Sequence, residues 1–323
     1  MVLSEFLEEW NNASDKVLVH TSGSTGKPKP MWVEKRRMLA SARITCDFLG
    51  LKEGDSALLC MPLDYIAGKM VVVRSMERKL RLIDVKPSGH PLRDISEIPT
   101  FAAMVPMQVF NSTQVPEELE KLRAIRHLII GGGAIDSDMA LKLRSFPNAV
   151  WSTYGMTETL SHIALRRLSG EEADEYYSPF ESVSVSIAED SCLVIDAPEV
   201  CEHPLKTNDI AEISEDGRRF RIIGRKDNVI DSGGIKIHIE DVEAKLKPHL
   251  NSPFLITKKA DSKFGEIVVM LVCSEDVENI KKICEDVLTQ YECPKEIFSV
   301  SEIPLTETGK PSRAKAEVIA SQM

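Results

Sequence analysis

The chain has no long apolar run. No stretch approaches the roughly 18 consecutive apolar residues of a membrane-crossing helix, so the sequence excludes a helical span. The opening residues, MVLSEFLEEW, carry acidic groups and no basic flank ahead of an apolar segment, which is not a secretory pattern. Cysteine is sparse and poorly spaced for cross-linking. The seven residues, at 46, 60, 192, 201, 273, 284 and 293, are odd in number and never form C-x-x-C. That argues against a disulfide frame or a zinc site and reads as reduced thiols in a cytoplasmic protein. Positive charge is in deficit: the formal net charge is −10, which argues against a nucleic-acid-binding surface. A local nest of backbone N–H groups stays open to a phosphate even so. Repeats and low-complexity tracts are absent. Two common nucleotide fingerprints are also missing. Thr21 stands where the first glycine of a G-x-x-x-x-G-K-[ST] loop belongs and Pro28 follows Lys27, and Gly131–Gly133 would need a glycine at Asp136 to complete G-x-G-x-x-G.

A length of 323 residues suggests about two domains, and 43% hydrophobic content is enough for real cores. Up to about residue 155, short apolar runs alternate with helical patterns. The runs are Val17–His20, Ala57–Met61, Leu80–Asp84, Phe101–Val105, His127–Ile130 and Val150–Thr153, with helices such as Lys35–Leu49, ending at Gly50, and Pro116–Ala124. This alternation predicts an α/β fold with a mostly parallel sheet, whose ligands sit beyond the carboxyl ends of the strands. Short strands with turns occupy about 180 to 225. Then come a hairpin, a helix (Ile239–Leu246), strands at Phe254–Thr257 and Ile267–Val272, a helix (Val277–Gln290) and a strand (Ile297–Val300). The predicted division is 1–226, made of an α/β core (1–178) and a small β subdomain (179–226), followed by an α+β domain over 227–323.

The most informative stretch is HTSGSTGKPKP at 20–30. A strand feeds directly into Thr21, Ser22, Gly23, Ser24, Thr25 and Gly26. Glycines let backbone N–H groups approach an anion closely, successive N–H groups form a nest, hydroxyls add donors and Lys29 adds charge. The stretch reads as a phosphate loop.

That string resembles the phosphate loop of the adenylate-forming superfamily, which includes acyl-CoA synthetases, luciferases and peptide-synthetase adenylation domains. Further segments resemble the superfamily's motifs in the expected order: Gly131–Gly133, Tyr154-Gly155-Met156-Thr157-Glu158, Thr207-Asn208-Asp209, Gly224-Arg225-Lys226-Asp227 with Gly233-Gly234, and Pro304–Arg313. The resemblance covers nearly the whole chain and implies a role for each. Gly131, Gly132 and Gly133 would turn beside the adenine, and the Tyr154 ring would stack on it, with Gly155 next to it. Thr157 would donate to the α-phosphate or the acyl carboxylate. Glu158 would hold Mg²⁺, which prefers few carboxylates plus phosphate oxygens. Asp209 would accept both ribose hydroxyls, as a carboxylate's two oxygens can; Asn208 stands where relatives usually carry glycine. Arg225 would contact ribose or phosphate, Asp227 would be the hinge between the domains, and Gly233 and Gly234 would border the CoA channel. Lys310 would bridge carboxylate and phosphate oxygens as charge builds at phosphorus. Tyr65 and Lys69 would line the acyl pocket, Lys69 as a cation, and Ser161 and His162 would donate to the acid.

Within the superfamily, YGMTETLSHIALR (154–166) resembles the o-succinylbenzoate–CoA synthetase family of menaquinone biosynthesis. This implies a two-step ligase using ATP, Mg²⁺ and CoA on a small carboxylic acid, with no nucleic-acid partner. Other aryl- or acyl-CoA ligases stay open, as does an amino-acid activator using Asp64, or a catalytically silent nucleotide-binding protein. Relatives carry well over a hundred residues before the phosphate loop. Met1–Asn12 reads as the start of an amphipathic helix, so the expectation is a natural form with a reduced N-terminal domain.

Overall fold

The structure is a computed structural model of the chain and describes residues 1–20, 30–133, 135, 137–306 and 311–323. Helix α1 (Leu3–Asn11) buries Phe6 completely and Leu3, Leu7 and Trp10 in part, a 3–4 spacing that puts one apolar face on the core. Strands β1 (Lys16–His20) and β2 (Pro30–Glu34) pair antiparallel, from Lys16 opposite Glu34 to His20 opposite Pro30. Helix α2 (Lys35–Leu49) has the predicted bounds, burying Met38, Ala42, Cys46 and Leu49 at helical spacing.

The central sheet comes next. Its elements are β3 (Ser56–Leu59), α3 (Ile66–Arg78), β4 (Arg81–Asp84), β5 (Phe101–Met104), α4 (Pro106–Gln114), α5 (Pro116–Ala124), β6 (His127–Ile130), α6 (Ser137–Arg144), β7 (Ala149–Gly155), β8 (His162–Arg167) and β9 (Ser178–Pro179). Spatial order is β4-β3-β5-β6-β7-β8-β9. From β4 across to β7 the strands are parallel, and β8 and β9 close one side antiparallel. Every residue of β3 and β5 is buried, as expected where helices cover both faces of a parallel sheet. One expectation needs correction. The run ending at His20 is not a strand of this sheet; β1 belongs to the separate two-stranded ribbon with β2. Alternating burial in a strand fixes which faces are covered, not which partner lies beside it.

A four-stranded antiparallel sheet lies after it in the chain, in the order β10 (Ser184–Ile187), β11 (Cys192–Asp196), β12 (Leu205–Ile213), β13 (Phe220–Arg225). The last sheet contains β14 (Val229–Ser232), β15 (Ile235–His238), β16 (Phe254–Asp261), β17 (Gly265–Val272) and β18 (Glu296–Ser299), with α7 (Ile239–Leu246), α8 (Val277–Val287) and α9 (Arg313–Gln322). Alternation along β17 sends Val268, Met270 and Val272 into the core shared with α7 and α8. Ile267, Val269 and Leu271 face Ala316 and Ala320 of α9 instead. Sequence periodicity does not reveal α9, because its buried face consists of those two alanines. The largest apolar core runs from Phe6 to Phe220, and the next begins at Ile230. Among the described residues no helix is long and apolar enough to cross a membrane, and all seven cysteines are free.

Candidate functional site

Parallel strands present their carboxyl ends along one edge, so the segments leaving β3, β6 and β7 share a rim. Met61–Tyr65 leaves β3, Gly131–Gly133 leaves β6, and Tyr154 and Gly155 close β7. The β1/β2 ribbon is fastened to the same rim, because His20 makes a parallel bridge with Tyr65. Thr21, Ser22, Gly23, Ser24, Thr25, Gly26 and Lys29 of the phosphate loop, and Lys310, lie outside the described residues.

The segment after β7 turns sharply. Gly155 has no room for a side chain, since a Cβ there would sit 2.2 Å from the Ser161 carbonyl oxygen. The buried Thr159 hydroxyl holds the turn by accepting from Met156 N–H at 2.9 Å and donating to Ser161 O at 2.7 Å. Leu160 takes a left-handed φ of 65° to complete it, a conformation that costs a side-chain-bearing residue energy. As a result Thr157 is buried and Glu158 is exposed. Glu158 lines a cleft of about 260 Å³ with Lys16, Trp32, Arg37, Cys201 and His203. Glu34 and the exposed Glu202 line the same cleft, and an exposed carboxylate such as Glu158 on an open cleft suits a cation that also takes phosphate oxygens.

Three of the residues expected around the nucleoside, Tyr154, Asp209 and Arg225, are joined with Asp227 in one chain of hydrogen bonds. Tyr154 Oη donates to Asp209 Oδ2 at 2.6 Å, Arg225 Nη1 to Asp209 Oδ1 at 2.8 Å, and Arg225 Nη2 to Asp227 Oδ2 at 2.8 Å. Asn208, the departure from glycine, donates to the same Asp227 oxygen at 3.2 Å. Burial first, and then the Asp209 carboxylate, push the Tyr154 hydroxyl well above its ordinary range, so it stays a donor. Each Asp209 oxygen accepts one of these bonds and keeps a lone pair, which a ribose diol could use. The Tyr154 ring also packs edge-on against Phe220, centroids 5.1 Å apart. Asp227 lies in a short 3₁₀ turn, Lys226–Asn228, between β13 and β14. Gly233 and Gly234 form the two-residue turn of the β14/β15 hairpin with φ of 62° and 86°. Such turns need positive φ at both central positions, which glycine supplies.

The residues expected around the acid divide. Ser161 and His162 are together, with Ser161 Oγ 3.2 Å from His162 Nδ1. His162 Nε2 lies 3.1 Å from Thr45 Oγ1 of α2. Lys69 is not with them. Its ammonium is buried against α1, 3.0 Å from Glu9 Oε2 and 4.6 Å from the centre of the Phe6 ring. The cation beside Ser161 and His162 is Arg74, whose Nη2 is 2.5 Å from Ser161 Oγ and 3.4 Å from Thr45 Oγ1. The reason is helical phase. Lys69 and Arg74 are five positions apart on α3, about 140° around its axis. Arg74 is 2% exposed, its Nε has no hydrogen-bond partner, and no carboxylate among the described residues pairs with it. Burial pulls its guanidinium down to about 10, still cationic near neutrality. Burial, then the Arg74 charge, hold His162 well below its ordinary value, so its imidazole is neutral. A signal for Arg74 exists in the sequence: a lone cation following four consecutive apolar residues, Met70–Val73, all buried. Asp64, considered for an amino group, pairs with the Met1 α-ammonium at 3.1 Å.

Residues 6–209 match the family described as AMP-binding enzyme, and 257–310 match the AMP-binding enzyme C-terminal domain. Among the curated relatives is the 2-succinylbenzoate–CoA ligase of Listeria monocytogenes, 27% identical over 96% of this chain and 71% of that protein. The enzyme of the same name from Bacillus licheniformis is 26% identical over 92% of this chain and 69% of its own length. The chain thus spans about 70% of these relatives. The solved structure of an acyl-CoA synthetase (AMP-forming)/AMP-acid ligase II-like protein from Dyadobacter fermentans is 32% identical. It covers 98% of this chain and 92% of that one, with a TM-score of 0.66. The O-succinylbenzoate Coenzyme A synthetase of Bacillus subtilis, solved with ATP and magnesium ion, shares the fold at TM-score 0.76 and 22% identity. That match covers 92% of this chain and 69% of the other.

Proposed function

The chain belongs to the family of AMP-binding enzymes, and from that membership we propose that it is an ATP-dependent acid–CoA ligase acting on o-succinylbenzoate. In the first step the substrate's succinyl carboxylate attacks the α-phosphorus of ATP and pyrophosphate leaves. In the second the CoA thiol attacks the acyl carbonyl, giving up its proton, and AMP leaves. Tyr154, Asp209 and Arg225 hold the nucleoside, with the glycines at 131–133 beside the base. Thr157 and Lys310 serve the α-phosphate, and the loop at 21–29 serves the phosphates. Mg²⁺ on Glu158 would offset phosphate charge. Asp227 is the proposed boundary and pivot between the 1–226 and 227–323 domains, and Gly233–Gly234 the proposed border of the CoA channel.

The observation that carries the choice of acid is Arg74. The substrate has a second carboxylate that stays charged, and burying it without a partner is costly. A buried guanidinium lacking a carboxylate, with Ser161 beside it, is the complementary group. Tyr65 remains the proposed wall for the ring. The test is ATP–pyrophosphate exchange with o-succinylbenzoate against benzoate, 4-coumarate, a medium-chain fatty acid and amino acids. Exchange at least tenfold faster with o-succinylbenzoate, about 1.4 kcal/mol, supports the reading; an equal rate with a monocarboxylate refutes it.

A further inference from the structure

Lys69 lies away from Ser161 and His162, and what holds it points to another task. Glu9 of α1 uses both carboxylate oxygens. Oε2 pairs with Lys69 Nζ at 3.0 Å, and Oε1 accepts the backbone N–H of Leu18, in the middle of β1, at 3.1 Å. Among the described residues β1 pairs with β2 on one side. On its other side it is tied to Glu9 through Leu18 and to Tyr65 through His20. Tyr65 is the residue before α3, and Lys69 N–H donates to the Tyr65 carbonyl at 3.3 Å. One closed circuit therefore runs from β1 to Glu9, to Lys69, to Tyr65, and back to β1 at His20. Its members join the strand entering the phosphate-loop sequence to the segment after β3. The Lys69 side chain is 2% exposed and Glu9 21%, so water competes little for the pair.

We infer that Glu9 and Lys69 are a positioning pair that fixes strand β1 against the segment leading into α3, and so sets the nucleotide end of the site relative to the acid end. Neither residue touches substrate. The pair acts through the Leu18 N–H, which would otherwise be an unsatisfied edge donor. The inference rests on the ligase reading only for its effect on turnover; the geometric effect is independent of it.

The test compares Lys69→Met with Glu9→Gln/Lys69→Met. In the single variant the Glu9 carboxylate loses its counter-charge and turns to water. The double variant carries no charge there, and the glutamine carbonyl can still accept from Leu18. Hydrogen exchange at the Leu18 amide should quicken at least tenfold in Lys69→Met and return to within threefold of wild type in the double variant. Mg-ATP affinity, by calorimetry, should weaken about tenfold and recover in the same order, with KM for o-succinylbenzoate staying within twofold. If Lys69→Met does not fold, the double variant decides alone: wild-type Leu18 protection and Mg-ATP affinity uphold the pair, and loss of either overturns it. An unchanged Leu18 rate in Lys69→Met also overturns it. So does a rise confined to the acid's KM, which would return Lys69 to the acid pocket. Failure of the wild type to exchange pyrophosphate with any acid would sink the ligase reading and leave the Leu18 result standing.

Discussion

Helix α3 carries two buried cations with different surroundings. Lys69 has a carboxylate at 3.0 Å and an aromatic face beneath it. Arg74, five residues on, has among the described residues two hydroxyls, a neutral imidazole and the Cys46 thiol nearby, an Nε with no partner and no carboxylate. Leaving a buried charge uncompensated costs several kcal/mol, and a sequence under selection for stability alone would pair it or replace it. The pair at Lys69 reads as architecture, and the open cation at Arg74 as a place for a ligand. The difference shows why a charged residue near a site cannot be assigned by its distance along the chain. The partner already present decides.

The sharpest way to break the comparison is Arg74→Met. Methionine fills similar volume without charge, so thermal stability should hold or rise. kcat/KM for o-succinylbenzoate should fall about 10² to 10³-fold, about 3–4 kcal/mol, as for loss of one partner of a buried hydrogen-bonded charge pair. Pyrophosphate exchange and a melting curve on the same sample read both effects. A variant that melts early and loses activity in proportion would make Arg74 structural and erase the contrast.

Much of the molecule is legible in the sequence, and the exceptions share a cause. The bounds of α2, α5 and α7 agree with their apolar spacing and end signals. The Tyr154–Glu158 segment declares itself through residue types that each have a chemical reason to be there. The hidden features need three dimensions: β1's partner, the two-alanine face of α9, and the phase that sends Lys69 to α1 and Arg74 to Ser161. Thr159 gives no chemical signal in the sequence because its hydroxyl serves the turn and not the substrate.

The Lys69 side carries the next largest effect. Lys69→Met should destabilise by about 3 kcal/mol, the low end for breaking a buried pair, because Glu9 is partly exposed. Denaturant midpoints report it. Stability equal to wild type would mean the pair contributes no more than a surface bridge, and the two cations of α3 would then differ less than their surroundings suggest.

The smallest effect concerns His162, on the Arg74 side. Among the described residues its polar and ring contacts are Thr45 on α2, Arg74 on α3, Ser161 beside it in the chain and the Phe180 ring; Glu199 lines the same small cavity, but no carboxylate bonds to the imidazole. Burial and the Arg74 charge keep the folded imidazole neutral, with its affinity for a proton depressed. In the unfolded chain it titrates near 6.5. Above that pH neither state binds the proton and the contribution is complete. As pH falls below it, the unfolded chain takes up a proton that the native state refuses, and stability declines by up to about 1.4 kcal/mol per pH unit from this residue. His162→Gln keeps a donor and an acceptor but cannot titrate there, so its stability between pH 6.5 and 5 should be flatter than wild type by about that slope. Parallel curves would mean that His162 gains its proton in the folded protein, against a guanidinium that has no counter-ion. Arg74 would then have to be partnered after all, and the asymmetry along α3 would be lost.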